Sequence, residues 1–108
     1  MTREELIAAL ESATAEQQGH LILQALWLAH ERGWITAQAG ERAFKMLSVG
    51  AYESAALTLV PANRIGPWCI FDFTNSAKAE VDGEPGVGAT PALALAAAAL
   101  KAQGGAHG

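Results

Sequence analysis

The stretch ATPALALAAAAL, residues 89–100, decides how this protein has to be assembled. Ten of its twelve residues are apolar, none is charged, and Thr90 is its only polar side chain. A threonine is a favourable N-cap and a proline is favourable at the first helical position, so Thr90 and Pro91 predict the start of a helix. The pair Gly104 and Gly105 predicts its end.

This helix has almost no polar face. At about 100° per residue, Leu93 and Leu100 lie on one side of it and Leu95 lies nearly opposite. Such a helix suits a position against a sheet, with a second layer formed by another helix or another subunit; the alternative is an alanine-rich helix that is half exposed. Because a chain of 108 residues has few elements to cover both sides, we expect a homodimer with Leu95 in a two-fold contact. The alternative is a monomer in which the second helix covers Leu95.

Three helices are predicted in the first half of the chain. They cover residues 3–13, 15–32 and 37–48, and each follows a threonine that can serve as N-cap. The middle helix is apolar on more than one side, which predicts burial on two sides. The three capping residues are Thr2, Thr14 and Thr36, and the predicted apolar face of the third helix is formed by Ala43, Phe44 and Leu47.

The strands are predicted in the second half. WCIFDF, residues 68–73, is apolar on both faces, so we expect both to be covered. Residues 77–81 alternate and predict an edge strand with one exposed face, whereas residues 82–88, with three glycines and a proline, predict a loop. Residues 52–60 fit either a strand or a short helix. The predicted core is Leu6, Leu10, Leu26, Leu57, Leu59, Ile70, Leu93 and Leu100.

Composition and charge exclude several classes of protein. Apolar residues make up 51% of the chain and charged residues 17%, the opposite of a disordered chain. Seven basic residues against 11 acidic ones, without a basic run, disfavour nucleic-acid binding. The longest strongly apolar run, residues 21–29, is too short to cross a bilayer. An acidic N-terminus and a single cysteine, Cys69, lead us to expect a cytoplasmic protein.

No pattern predicts catalysis. HERGW, residues 30–34, begins like a zinc-protease motif but has Trp34 where the second histidine is required. GEPGVGATP, residues 83–91, lacks the lysine of a P-loop and carries an acid. Cys69 and Asp72 are interpreted as structural residues of their strand, since a reactive thiolate needs positive neighbours. We therefore expect no enzyme activity, no cofactor and no metal site.

Two blocks carry a family resemblance. GAYESAALTLVP, residues 50–61, and ATPALALAAAALKA, residues 89–102, with the tryptophan strand between them, resemble the phage ABA-sandwich domain family of small bacteriophage and prophage proteins. The resemblance implies a helix-rich α+β fold in which a small antiparallel β-sheet is sandwiched between helical layers, and it implies no catalytic residue. The chain departs from the family at Ser54 and Ala96, where members often have Asp and Cys. We expect one domain, residues 1–108, with N-terminal helices at about 3–48 and the sandwich-like core at about 45–103.

These observations favour a phage-type accessory protein that acts by binding a host protein without catalysis, most concretely by inhibiting a defence effector. The alternative is a protein that binds or sequesters a small nucleotide-type ligand, for which Arg64, Lys78 and Lys101 are the candidate basic residues. The candidate partner surface is Trp34, Arg64, Ile65 and Leu95. Arg64 and Ile65 lie in an extended loop, where an apolar side chain favours a partner. Trp34 has the residue type of a binding hot spot, although core packing is the favoured interpretation of Trp27 and Trp34.

Overall fold

The computed structural model describes residues 2–60, 68–73, 76–81 and 83–105, of which residues 68–73, 76, 104 and 105 are described by their backbone alone. Five α-helices, one 3-10 turn and three strands make up this part of the chain. In order they are α1 (Arg3–Ser12), the 3-10 turn (Ala15–Gln17), α2 (Gln18–Glu31), α3 (Ala37–Ser48), α4 (Tyr52–Leu57), β1 (Trp68–Phe73), β2 (Ser76–Val81), β3 (Glu84–Gly88) and α5 (Pro91–Gly105).

Threonine caps start α1, α3 and α5, as the sequence predicts. The Thr2 hydroxyl accepts a hydrogen bond from the Glu5 amide at 3.1 Å, and the hydroxyls of Thr36 and Thr90 do the same for the third residue after them. Hydrogen bonds with the side chain and backbone of Thr2 hold the pKa of the Glu5 carboxyl below its ordinary value. Thr14 starts a 3-10 turn rather than the second α-helix itself, which begins at Gln18.

α5 forms the central layer of the molecule. Residues 92–100 are each at most 1% exposed, so this helix is buried on every side. The sheet packs on one side of it, and α1, α2 and α4 pack around the others. The half-exposed alternative is therefore wrong, and the lack of a polar face follows from the central position of the helix.

β1, β2 and β3 form an antiparallel sheet in that order, with Phe73 opposite Ser76 and Val81 opposite Glu84. This confirms a helix-rich α+β fold with a small antiparallel sheet. Residues 77–81 do alternate, since Ala77 and Ala79 are buried and Lys78 is exposed. β2 is nevertheless the central strand and not the predicted edge, because β3 pairs with its other side.

The strand β3 replaces the loop predicted at residues 82–88. Gly86 and Gly88 are both buried against α5. A Cβ atom on Gly88 would lie 2.8 Å from the Ala94 nitrogen, and one on Gly86 would meet the backbone of Ala94 and Ala98 even more closely. These two glycines therefore let a strand and a helix backbone approach closely, which is an established use of glycine inside strands.

The layers differ from the expected order of helix, sheet and helix. The face of β2 and β3 that points away from α5 carries Lys78, Pro85 and Val87, and Val87 is 46% exposed. The expectation that helices cover both faces of the sheet is therefore wrong for β2 and β3. The order is sheet, α5, and then the N-terminal helices.

One hydrophobic core extends from Leu6 to Ala102. The predicted core positions in α1, α2 and α5 are buried, as is Leu59. Leu57 is 37% exposed, so its prediction as a core residue is wrong. The side chain of Ile70 lies outside the described residues.

The ambiguous segment at residues 52–60 is a short helix, α4, followed by a turn. The Thr58, Leu59 and Val60 amides each donate to the carbonyl three residues earlier, which tightens the chain after α4. Gln103 Nε2 donates to the Leu59 carbonyl at 2.9 Å and so ties this turn to α5. The turn directs Leu59 inward and leaves Leu57 partly exposed.

An ion pair closes the outer edge of β3. Lys101 Nζ lies 2.9 Å from Glu11 Oε2, and it also donates to the Pro85 carbonyl at 2.7 Å. The Val87 amide donates to the same carboxylate oxygen at 3.3 Å. Side chains from α5 and α1 thus satisfy backbone groups that an edge strand otherwise leaves unpaired.

We expect Lys101→Met to lower the free energy of unfolding by about 1 kcal/mol, because it removes a half-buried ion pair and a hydrogen bond to the edge strand. Urea denaturation followed by circular dichroism measures the loss. Lys78→Met, on the exposed face of β2, is the control and should change stability by less than about 0.5 kcal/mol. A Glu11→Gln, Lys101→Met double-mutant cycle without coupling would contradict the prediction.

Candidate functional site

Of the predicted partner surface, the structure describes Trp34 and Leu95, and these two do not form one exposed site. Leu95 is fully buried inside α5, so the prediction that it forms a partner or dimer contact is wrong. Trp34 is half-buried and packs against the core, with the Arg32 guanidinium 5.8 Å from its ring centre. Arg64 and Ile65 lie outside the described residues.

A different surface, formed by α2 and α3, has the character of a binding site. The two helices are joined by residues 32–36. Along the groove between them the lining residues rise in number on α3 as they fall on α2, so the helices run in opposite directions. A first depression between them has a volume of about 300 Å³. Its lining is mostly apolar, and it consists of Leu23, Leu26, Trp27, His30, Ala37, Gly40, Glu41 and Phe44.

Two aromatic side chains stand exposed on either side of this groove. Trp27 on α2 is 58% exposed and Phe44 on α3 is 57% exposed. The ring of His30 meets the Trp27 ring edge-on, with 6.1 Å between centroids, which favours a fixed orientation for the indole. Large aromatic side chains in water are costly, and a contiguous pair of them typically marks a contact surface.

The groove continues past Leu23 and Phe44 into a second depression of about 240 Å³. Its remaining lining is Gly19, His20, Leu47, Ser48 and Tyr52. His20 and Trp27 are seven residues apart on α2, and so are Gly40 and Leu47 on α3. At 1.5 Å per residue, the centres of the two depressions are therefore about 10 Å apart.

We call the surface formed by these two depressions and the exposed aromatic pair the α2–α3 groove. Its polar lining is sparse: Glu41 and His30 lie in the first depression, and His20, whose Nε2 is 2.7 Å from the Gln24 amide nitrogen, lies in the second. The exposed bases Arg42 and Lys45 follow Glu41 along α3. The groove is thus an apolar surface with both charge signs at its margin.

A more polar pocket of about 400 Å³ lies near the start of α5. The Thr90 hydroxyl donates to the Gln18 side chain there at 2.9 Å, and Glu53 also lines it. None of the described residues lining it is basic. Lys101 is bound to Glu11 and Lys78 lies on the exposed face of the sheet, so neither contributes the basic lining that the small-ligand alternative requires.

The described part of the chain contains no group of three or more potential metal-binding side chains. Within the same part, no helix combines the length and the apolar character needed to cross a membrane. The side chains of Cys69 and Asp72 lie outside the described residues, so their interpretation as structural residues stays a prediction.

Comparison with known proteins adds no relative: no family model, no curated protein and no solved structure matches the chain. The resemblance to the phage ABA-sandwich family therefore depends on the quoted sequence blocks alone.

Sequence reasoning missed the groove because it assigned its aromatic residues to the core. Phe44 was expected on the buried face of α3, yet only Ala43 is fully buried there and Leu47 is half-buried. Trp27 was interpreted as a core residue and is exposed. The signal was present in the apolar character of α2 on more than one side, which predicted a second contact for that helix.

Proposed function

We propose that this protein acts by binding another protein without catalysis, through the α2–α3 groove. In the setting that the family resemblance suggests, it is a phage or prophage accessory protein that occupies a host protein, such as a defence effector, in the cytoplasm of the bacterial host. The observation that carries the proposal is the exposed pair Trp27 and Phe44 on a groove with two apolar depressions.

The shape of the groove favours a helix as the bound segment. Apolar residues seven positions apart on an amphipathic helix lie on one face and about 10 Å apart, which matches the spacing of the two depressions. A helix seated along the groove would cover both Trp27 and Phe44. A basic residue on that helix would find Glu41 at the margin of the first depression.

We expect Phe44→Glu to abolish capture of the host partner, because it places a charge at the centre of an apolar contact. The test is affinity capture from host lysate, followed by reconstitution with the purified candidate and measurement of the dissociation constant by calorimetry. Loss of an aromatic hot spot should weaken binding at least about thirtyfold.

Val49→Glu is the matched control, since Val49 is 80% exposed just beyond α3 and does not line the groove. It should leave the dissociation constant unchanged. Equal loss of binding in both variants, or full binding by Phe44→Glu, would contradict the assignment of the groove. Far-UV circular dichroism of each variant confirms that the helices are retained.

A further inference from the structure

The α2–α3 groove has the features of a self-complementary surface. It presents two exposed aromatic side chains, Trp27 and Phe44, beside the two depressions, so that one surface carries both protruding and receding apolar parts. The two helices that form it are antiparallel, so a second hairpin laid face to face on the first completes a four-helix arrangement, a common and stable packing. Knob and hole on one surface are what a two-fold contact requires.

We propose that, in the absence of a host partner, the α2–α3 groove binds a second copy of this chain. The inference rests on the proposed function in that it takes the groove to be a protein-binding surface. The dimer has a two-fold axis that crosses the groove at the level of residue 43 of α3, next to Phe44, so that α3 packs antiparallel to α3 of the second copy, and α2 to α2.

This axis brings the apolar parts of the two copies into contact. Phe44 lies next to the axis and meets Phe44 of the second copy, forming an aromatic pair at the centre. The axis also places the first depression of one copy over the second depression of the other. Trp27 then faces the region of Gly19 and His20 of the second copy, in the lining of the second depression.

Charge complementarity favours the same axis. A two-fold rotation at residue 43 of α3 places position 41 of one copy opposite position 45 of the other. Glu41 of each copy therefore faces Lys45 of the other, and both side chains are exposed in the single chain. A two-fold axis parallel to the helices would instead lay α3 of one copy over α2 of the other, and α2 contains no lysine or arginine to face Glu41.

Size-exclusion chromatography with light scattering tests the dimer. At millimolar concentration the mass should be twice the 11.2 kDa of the chain, and it should fall to 11.2 kDa on dilution. Phe44→Glu should raise the dissociation constant of the dimer at least about thirtyfold, whereas the control Val49→Glu should leave it unchanged. A mass of 11.2 kDa at every concentration, or a dimer that Phe44→Glu leaves intact, overturns the proposal.

Charge reversal tests the antiparallel register. Glu41→Lys and Lys45→Glu should each weaken the dimer, since each places like charges opposite one another, and the double variant should restore it. If the dimer of the double variant is no tighter than the dimers of the single variants, the antiparallel register is refuted. If the chain stays monomeric while host capture still depends on Phe44, the dimer is refuted and the proposed function stands. If the chain dimerises through Phe44 and captures no host protein, the dimer stands and the proposed function is refuted.

Discussion

Gly86→Ala is expected to destabilise the protein by about 3 kcal/mol, at the upper end of the usual cost of overpacking. The added methyl group would lie 2.5 Å from the Ala98 nitrogen and still closer to the Ala94 carbonyl oxygen. Both are backbone atoms of α5, so no side chain can rotate away to relieve the contact. The sheet and its central helix would have to separate, and the packing around the buried stretch 92–100 of α5 would loosen with them.

Gly40→Ala is the matched control, because it makes the same chemical change with the opposite expected sign. Gly40 lies inside α3, and a methyl group there would make an ordinary contact with Ile35 Cδ1 at 3.6 Å. Alanine is favoured over glycine in a helix interior by about 1 kcal/mol, so this variant should be more stable than the parent. Urea denaturation of both variants measures the difference, and a loss below about 1 kcal/mol for Gly86→Ala would contradict close packing of β3 on α5.

The glycines of β3 also show why part of the fold could not be predicted from the sequence. The starts of α1, α3 and α5 are local, since a threonine hydroxyl satisfies a nearby amide, and the capping residues therefore predicted them. A strand of the sequence EPGVG has no local preference for extended pairing and resembles a loop. It forms a strand because its glycines let it pack closely against α5, and that contact exists only in the folded protein.

The candidate site was unpredictable for a related reason. Apolar periodicity gives the direction of a helix face but not the number of neighbours available to cover it. In α3 the pattern pointed Ala43, Phe44 and Leu47 inward, and the limited cover from α2 and α4 buries the alanine fully while leaving the phenylalanine exposed. In α5 the outcome was the opposite. Leu95 was expected to contact a second copy, yet it is buried because elements of the same chain surround it.

Leu95→Ala is expected to lower the free energy of unfolding by about 2–5 kcal/mol, the same range that we expect for Leu93→Ala. Both side chains are fully buried on nearly opposite sides of α5. Each substitution leaves a cavity between the central helix and a neighbouring layer. Thermal or urea denaturation of the two variants measures the losses, and Leu57→Ala, at a 37% exposed position, should cost about 1 kcal/mol.

The variant Leu95→Glu distinguishes a Leu95 buried within one chain from a Leu95 at a contact between two chains. Leu95→Glu places a carboxylate in the buried stretch 92–100, which consists of alanine and leucine and contains no basic side chain. Burial of an unpaired charge costs several kcal/mol. We therefore expect the chain to unfold, with loss of the far-UV helical signal. A folded monomer in place of a dimer would instead mean that Leu95 faces a second copy. Phe44→Glu should give the folded monomer, because Phe44 lies in the proposed contact between two copies. Leu95 instead lies between the layers of a single chain.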